Sequence, residues 1–171
     1  LTRKKQVVQI VVYNLPNRDC SAEASAGELS VNDDGEAKYR DFIDRIVREL
    51  QRFPQIRVVL QLETDAIGNL VTNLGALREL LFEASSRINA CFILANPKCA
   101  EAEDVQKRSM AYAIAKLQLP NVAIYLDGAH AGWLGWESNI GPAADVLTEI
   151  IAMAQAINPN AKVRGVATNV S

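Results

Sequence analysis

Three runs of apolar and β-branched residues each break off at a carboxylate. Tyr13-Asn14-Leu15-Pro16-Asn17-Arg18-Asp19-Cys20 closes the first, Leu62-Glu63-Thr64-Asp65 the second, and Tyr125-Leu126-Asp127-Gly128-Ala129-His130 the third. A lone Asp at such a place often caps the next helix or pairs with an arginine. Three successive ends of this kind, joined by Arg18 and by the one histidine of the chain, point instead to a shared site. Just beyond the third end, Ala131-Gly132-Trp133-Leu134-Gly135-Trp136 holds both tryptophans in a glycine-rich loop where no apolar periodicity calls for them. Either they plug the mouth of a core, or they offer flat indole faces to sugar rings, whose axial C–H groups form an apolar surface. Paired carboxylates beside aromatic platforms are the equipment of glycoside hydrolysis, where one carboxyl group protonates the departing oxygen.

Positioning these residues falls to alternating strands and helices. Strands are expected at Gln6 to Tyr13, Ile56 to Glu63, Asn121 to Asp127 and Lys162 to Thr168, each apolar enough for burial on both faces of a parallel sheet. Between them Tyr39, Phe42, Ile43, Ile46, Val47, Leu50 and Phe53 form one stripe of an amphipathic helix. A weaker helical pattern runs from Ala100 to Leu117, with Pro120 at its exit. Another helix opens at Gly141-Pro142, with Pro at the first helical position, and carries Val146, Leu147, Ile150, Ile151 and Ala154 on one face. The α/β alternation implies parallel β/α units, wound either as a small doubly wound sheet or as half of a barrel. In both, chemistry collects at the C-terminal strand ends. The chain lacks GxGxxG after a strand and lacks GxxxxGK followed by Ser or Thr, which leaves a phosphate-binding domain as a remote alternative.

Composition narrows the partners. The 171 residues allow one domain or a piece of a larger one, and 49% apolar with 22% charged residues is an ordinary globular balance. A net charge of -2 argues against a nucleic-acid binder, which needs a basic surface. No run reaches the roughly 20 apolar residues of a membrane span, so no membrane partner is expected. The start, Leu1-Thr2-Arg3-Lys4-Lys5 followed by a short β-branched run, is no signal peptide, and a targeting segment is expected outside this sequence. Cys20, Cys91 and Cys99 are an odd number with no zinc spacing, and one His130 cannot supply a histidine cluster, so neither a metal nor a cofactor is expected.

Together the motifs resemble glycoside hydrolase family 6, the cellobiohydrolases and endoglucanases of cellulose breakdown. YNLPNRDCSAEASAG (Tyr13 to Gly27) and LETDAIGNLVTNLG (Leu62 to Gly75) resemble its two signatures, and NPKC (Asn96 to Cys99) the segment that follows the second. LPNVAIYLDGAHAGWLGW (Leu119 to Trp136) and VRGVATNV (Val163 to Val170) are similar to later blocks. The resemblance implies part of a distorted, incomplete, TIM-like β/α barrel that hydrolyses β-1,4-glucans with inversion. It implies Asp65 as general acid, Asp19 as the carboxylate that keeps that acid protonated, Tyr13 beneath the reactive sugar, and Ser25 beside the attacking water. It places His130, Trp133, Trp136, Asp127, Asn73 and Asn169 among substrate-binding positions and pairs Cys20 with Cys99 in a disulfide. It further implies a secreted monomer whose partner is a β-glucan.

Three departures from the family pattern qualify this. Thr64 stands where the family has proline, so the backbone aiming Asp65 is expected to be less constrained. The twenty residues Ala76 to Ala95 interrupt blocks that are otherwise nearly adjacent. They read as a surface insertion or, preferably, as sixty in-frame nucleotides of retained intron, with Cys91 unpaired inside. The chain also stops short of the family's later strands, so residues 1–171 are expected to be a partial catalytic domain with exposed parallel edges. A second reading is therefore a non-catalytic remnant that binds glucan weakly or not at all.

Overall fold

The computed structural model describes residues 6–73 and 97–169. The 76–95 segment with Cys91 lies outside the described residues. Four strands, β1 (Val7–Val12), β2 (Arg57–Leu62), β3 (Val122–Asp127) and β4 (Gly165–Ala167), pair in parallel in that order. Val12 lies opposite Leu62, Leu62 opposite Leu126, and Asp127 opposite Ala167, so the C-terminal ends emerge along one rim. This order decides between the two windings. A doubly wound sheet reverses its strand order at a switch point, whereas here every crossover steps to the next strand in the same direction, as in a barrel segment.

Helices α1 (Gly35–Arg52), α2 (Ala66–Thr72), α3 (Pro97–Lys116) and α4 (Glu137–Ile157) accompany the sheet. The expected stripe of α1 buries Tyr39, Ile43 and Leu50, packs Phe42, Ile46 and Val47 at the core margin, and leaves Phe53 exposed at the C-cap. Helix α3 packs against both α1 and α4, which explains its weak periodicity. Small residues Ala102, Ala111, Ala113 and Ala115 are buried around it, and one face alone is not selected. Lys107, 4% exposed in its side chain, ties α3 to α4 through Glu103 at 2.7 Å and Glu149 at 2.8 Å.

Three expectations need correction. Helix α4 begins at Glu137, not at Pro142, because the Asn139 and Ile140 amides already close the first turn on the Trp136 carbonyl at 2.8 and 3.2 Å. Pro142 then removes only its own N–H bond, a tolerable loss so near the helix start. Helix α4 is also long and apolar enough, by length and composition, to cross a membrane, although no such run was expected. In the fold it buries Val146, Ile150 and Ala154 in the core. Burial on both faces, finally, fails at the edges. Val58, Leu60, Leu62, Ile124 and Leu126 are buried, but among the described residues β1 pairs on one side only and leaves Val7 58% and Val11 50% exposed.

Candidate active site

The rim is shaped by residues in the left-handed backbone region. Asp19, Glu63, Asp65 and Ala129 have φ of 48, 57, 61 and 49°, values that side chains larger than glycine adopt only when surroundings hold them. For Asp65 and Ala129 those surroundings are one carboxylate. Asp127 is fully buried, and its Oδ2 accepts the Asp65 amide at 2.8 Å and the Ala129 amide at 3.0 Å. Its Oδ1 accepts from Gln61 Nε2 at 3.2 Å. Gln61 also reaches the Thr64 hydroxyl at 3.5 Å, so the turn lacking the family's proline is braced from below. Asp127 was expected among substrate contacts. It has no exposed surface, and with Oδ2 on two backbone amides and Oδ1 on the Gln61 side chain it anchors the Asp65 backbone.

Glu63, at the exit of the neighbouring strand β2, has a similar anchoring role and was not among the expected site residues. It is 1% exposed; Oε1 accepts from the Tyr39 hydroxyl at 2.7 Å, and Oε2 from the Asn14 and Leu15 amides at 3.0 and 3.1 Å. Burial pushes its carboxyl up to about 7, against the opposing pull of these three donors and of the Arg18 charge.

Tyr13, Asp19 and Asp65, all half-buried, converge above this layer. The Tyr13 hydroxyl donates to Asp19 Oδ2, and Asn69 Nδ2 donates to Asp19 Oδ1 at 3.3 Å. Burial, then the Asp19 hydrogen bond and charge, and also the Asp65 charge hold the Tyr13 phenol well above its ordinary range. The guanidinium of Arg18 lies 4.2 Å from the Tyr13 ring centre and donates to the Tyr13 and Ser25 carbonyls, the latter at 3.2 Å. Tyr13, Arg18, Asp19, Glu63, Thr64 and Asn69 are among the residues lining a cavity of about 10 Å³, the size of one water.

The remaining expected residues fall in five places. Asn73 extends the polar chain, donating to Asn69 Oδ1 at 2.8 Å and to Ser21 Oγ at 3.2 Å. Ser25 ends a single 3-10 turn (Glu23–Ser25), where its carbonyl serves Arg18. His130 and Trp133 stand together, ring centres 6.0 Å apart, with Trp133 Nε1 donating to Thr72 Oγ1 at 3.1 Å. Gly68 makes that approach possible, because a Cβ there would sit 2.8 Å from the indole. Asn169 bonds through its backbone amide to the Ala129 carbonyl at 2.7 Å, closing β4 onto the rim. Trp136, 63% exposed at the N-cap of α4, stands apart on the surface.

Cys20 and Cys99 form a disulfide that fastens the Asp19 loop to the start of α3, as the family resemblance implied. Gln106 of α3 adds hydrogen bonds to the Pro16 and Asn17 carbonyls at 2.9 and 3.2 Å. Glu63, Asn69 and Gln106 are thus site residues beyond those expected. One signal was legible for Asn69: Asp65, Asn69 and Asn73 recur every four residues, which aligns them on one helical face. Among the described residues no group of three or more His, Cys, Asp or Glu side chains is placed to hold a metal ion.

A parallel β/α barrel segment whose rim gathers a half-buried Asp, a neighbouring carboxylate and a tyrosine has the outline of a carbohydrate-active hydrolase. The profile of glycosyl hydrolases family 6 matches residues 1–171, and the chain belongs to that family. It is 42% identical over 163 residues to the 1,4-beta-D-glucan cellobiohydrolase CEL6A of Pyricularia oryzae, covering 95% of this chain and 29% of that one. It is 41% identical over 168 residues to Exoglucanase 3 of Agaricus bisporus, covering 98% and 33%. Among solved structures, CcCel6C from Coprinopsis cinerea, a glycoside hydrolase family 6 enzyme, superposes with a TM-score of 0.83 at 43% identity, over 98% of this chain and 40% of that chain. Cellobiohydrolase II (Cel6A) from Humicola insolens, solved with glucose and cellotetraose, gives 0.78 at 40% identity, over 96% and 39%. The chain therefore spans about a third of the length of such relatives.

Proposed function

We propose that this chain carries the acid side of an inverting β-1,4-glucan hydrolase, with Asp65 as proton donor to the glycosidic oxygen. The observation supporting this reading most directly is the convergence of Asp65, Asp19 and Tyr13 on one side of the rim, with Asp65 held by a dedicated buried carboxylate. A negative Asp19 favours the protonated form of a nearby acid, because two close carboxylates ionise together only at a cost. In this reading Tyr13 supports the distorted sugar and Ser25 helps hold the attacking water. Protonation lets the C–O bond break as water adds to the anomeric carbon from the opposite face, inverting it. Asp127 is a poor base for that water, since it is fully buried with Oδ2 on two backbone amides and Oδ1 on the Gln61 side chain.

His130, Trp133, Trp136, Asn73 and Asn169 serve as glucan contacts, with the exposed Trp136 as a platform for a distant sugar. The relatives named for glucan cleavage, and the neighbour solved with cellotetraose, support a cellulose-type substrate. Such a protein works outside the cell as a monomer, with the Cys20–Cys99 bridge suited to an oxidising compartment. The test is Asp65→Asn in the full chain, assayed on soluble β-glucan. Turnover should fall at least about 100-fold while cello-oligosaccharide binding persists. Equal turnover in the two would reject the acid assignment, and oligosaccharide binding without turnover in the unsubstituted chain would favour the non-catalytic remnant.

A further inference from the structure

We propose that Glu63 is a positioning residue for Tyr13 and Asp19, gripping the end of β1 on both sides of Tyr13. This rests on the reading of Tyr13 and Asp19 as site residues. The Glu63 amide donates to the Val12 carbonyl at 2.7 Å, immediately before Tyr13. Its carboxyl group receives the Asn14 and Leu15 amides immediately after it. One residue of β2's exit thus brackets Tyr13, and Tyr13 in turn donates its hydroxyl to Asp19. From the other side the Tyr39 hydroxyl reaches in from α1 at 2.7 Å.

The chemistry of this grip calls for a carboxylate. Three donors converge on Glu63, and a carboxylate can accept all of them, whereas an amide would bring donors of its own into a buried place. The charged groups facing it are Arg18 and Asp19 of the β1 loop, which line the same small cavity; the titratable phenols are Tyr39 of α1 and Tyr13. Helix α3 presents the neutral Gln106 there. Burial places the Glu63 proton near neutrality, at about 7, so the grip changes charge inside an accessible pH range. Below that range the carboxyl must fit a proton among three inward-pointing donors, which weakens at least one bond.

Ring-labelled tyrosine NMR on the full chain tests this, since each of the four tyrosines gives its own signal. Tyr13 ring signals should move with the Glu63 carboxyl signal, sharing one midpoint near pH 7, while Tyr112 and Tyr125 do not follow it. Glu63→Gln should abolish that step. Tyr39→Phe removes a bond that favours the carboxylate, so it should move the Tyr13 and Glu63 midpoints upward together. This second variant carries the test if Glu63→Gln does not fold. Tyr13 signals that stay flat while Glu63 titrates, or that keep their midpoint when that of Glu63 moves, would overturn the proposal. Neither readout requires hydrolysis, so a chain without glucanase activity counts against the proposed function alone.

Discussion

Asp65 stands in a backbone conformation it would not choose by itself, and Asp127 compensates by accepting the Asp65 and Ala129 amides below the rim. Removing those acceptors strands two amides. Asp127→Ala should therefore cost about 2–4 kcal/mol in urea unfolding, one buried unsatisfied group at a time. Asp127→Asn keeps a carbonyl oxygen for both amides, and a flip of the Gln61 amide turns its Oε1, a buried oxygen with no hydrogen-bond partner among the described residues, toward the new NH2. That variant should lose about 1 kcal/mol or less. Equal losses in the two variants would show that the amides do not depend on Asp127. The stronger functional effect should follow the same order, because Asp65 is aimed through its backbone.

Among the elements, the site is a seam between the β1 loop and the helices beside it. The Cys20–Cys99 bridge spans 79 residues of sequence and joins the Asp19 loop to α3, with Gln106 hydrogen-bonded alongside. Closing so long a loop restricts the unfolded chain. Replacing both cysteines by serine should lower stability by about 4 kcal/mol on the chain-entropy account. Denaturant unfolding of both forms measures the difference, and a loss under about 1 kcal/mol would mean that the packing of α3 holds the loop without the bridge. The elements themselves were largely legible beforehand. Each of the four strands is found inside its expected range, as continuous apolar runs flanked by polar turns foretell. Helix α2 was not foreseen: its seven residues provide too few turns for a periodic stripe.

Across the described residues, the sheet ends in two strands that pair on one side only. On β1, Val7, Val8, Ile10 and Val11 expose an uncharged apolar surface along an edge with no strand partner among the described residues. Such an edge is a template for association with another chain. Val11→Lys should reduce concentration-dependent association in sedimentation velocity, with stability changed by no more than about 0.5 kcal/mol. The same degree of association in both forms would place the contact elsewhere. Helix α4 adds Ile140 and Ile157 to the exposed apolar surface, 56% and 53% accessible, while its other face fills the core.

Residue order alone carries the alternation of strands and helices, the carboxylates at three strand ends, and the family motifs that pair Cys20 with Cys99. These are local patterns, written in residue type and spacing along one stretch of chain. Which carboxylates face the rim and which lie beneath it is a matter of three-dimensional packing. Asp127 and Asp65 both follow apolar strands, yet one is buried on backbone amides and the other reaches the rim. Glu63, two residues before Asp65, turns inward to Tyr39 and the β1 exit. The direction of each side chain depends on left-handed turns at Glu63, Asp65 and Ala129, and those are held by partners up to 62 residues away. No local periodicity encodes a conformation that distant hydrogen bonds impose, so the division between carboxylates buried beneath the rim and those at it emerges only from the fold.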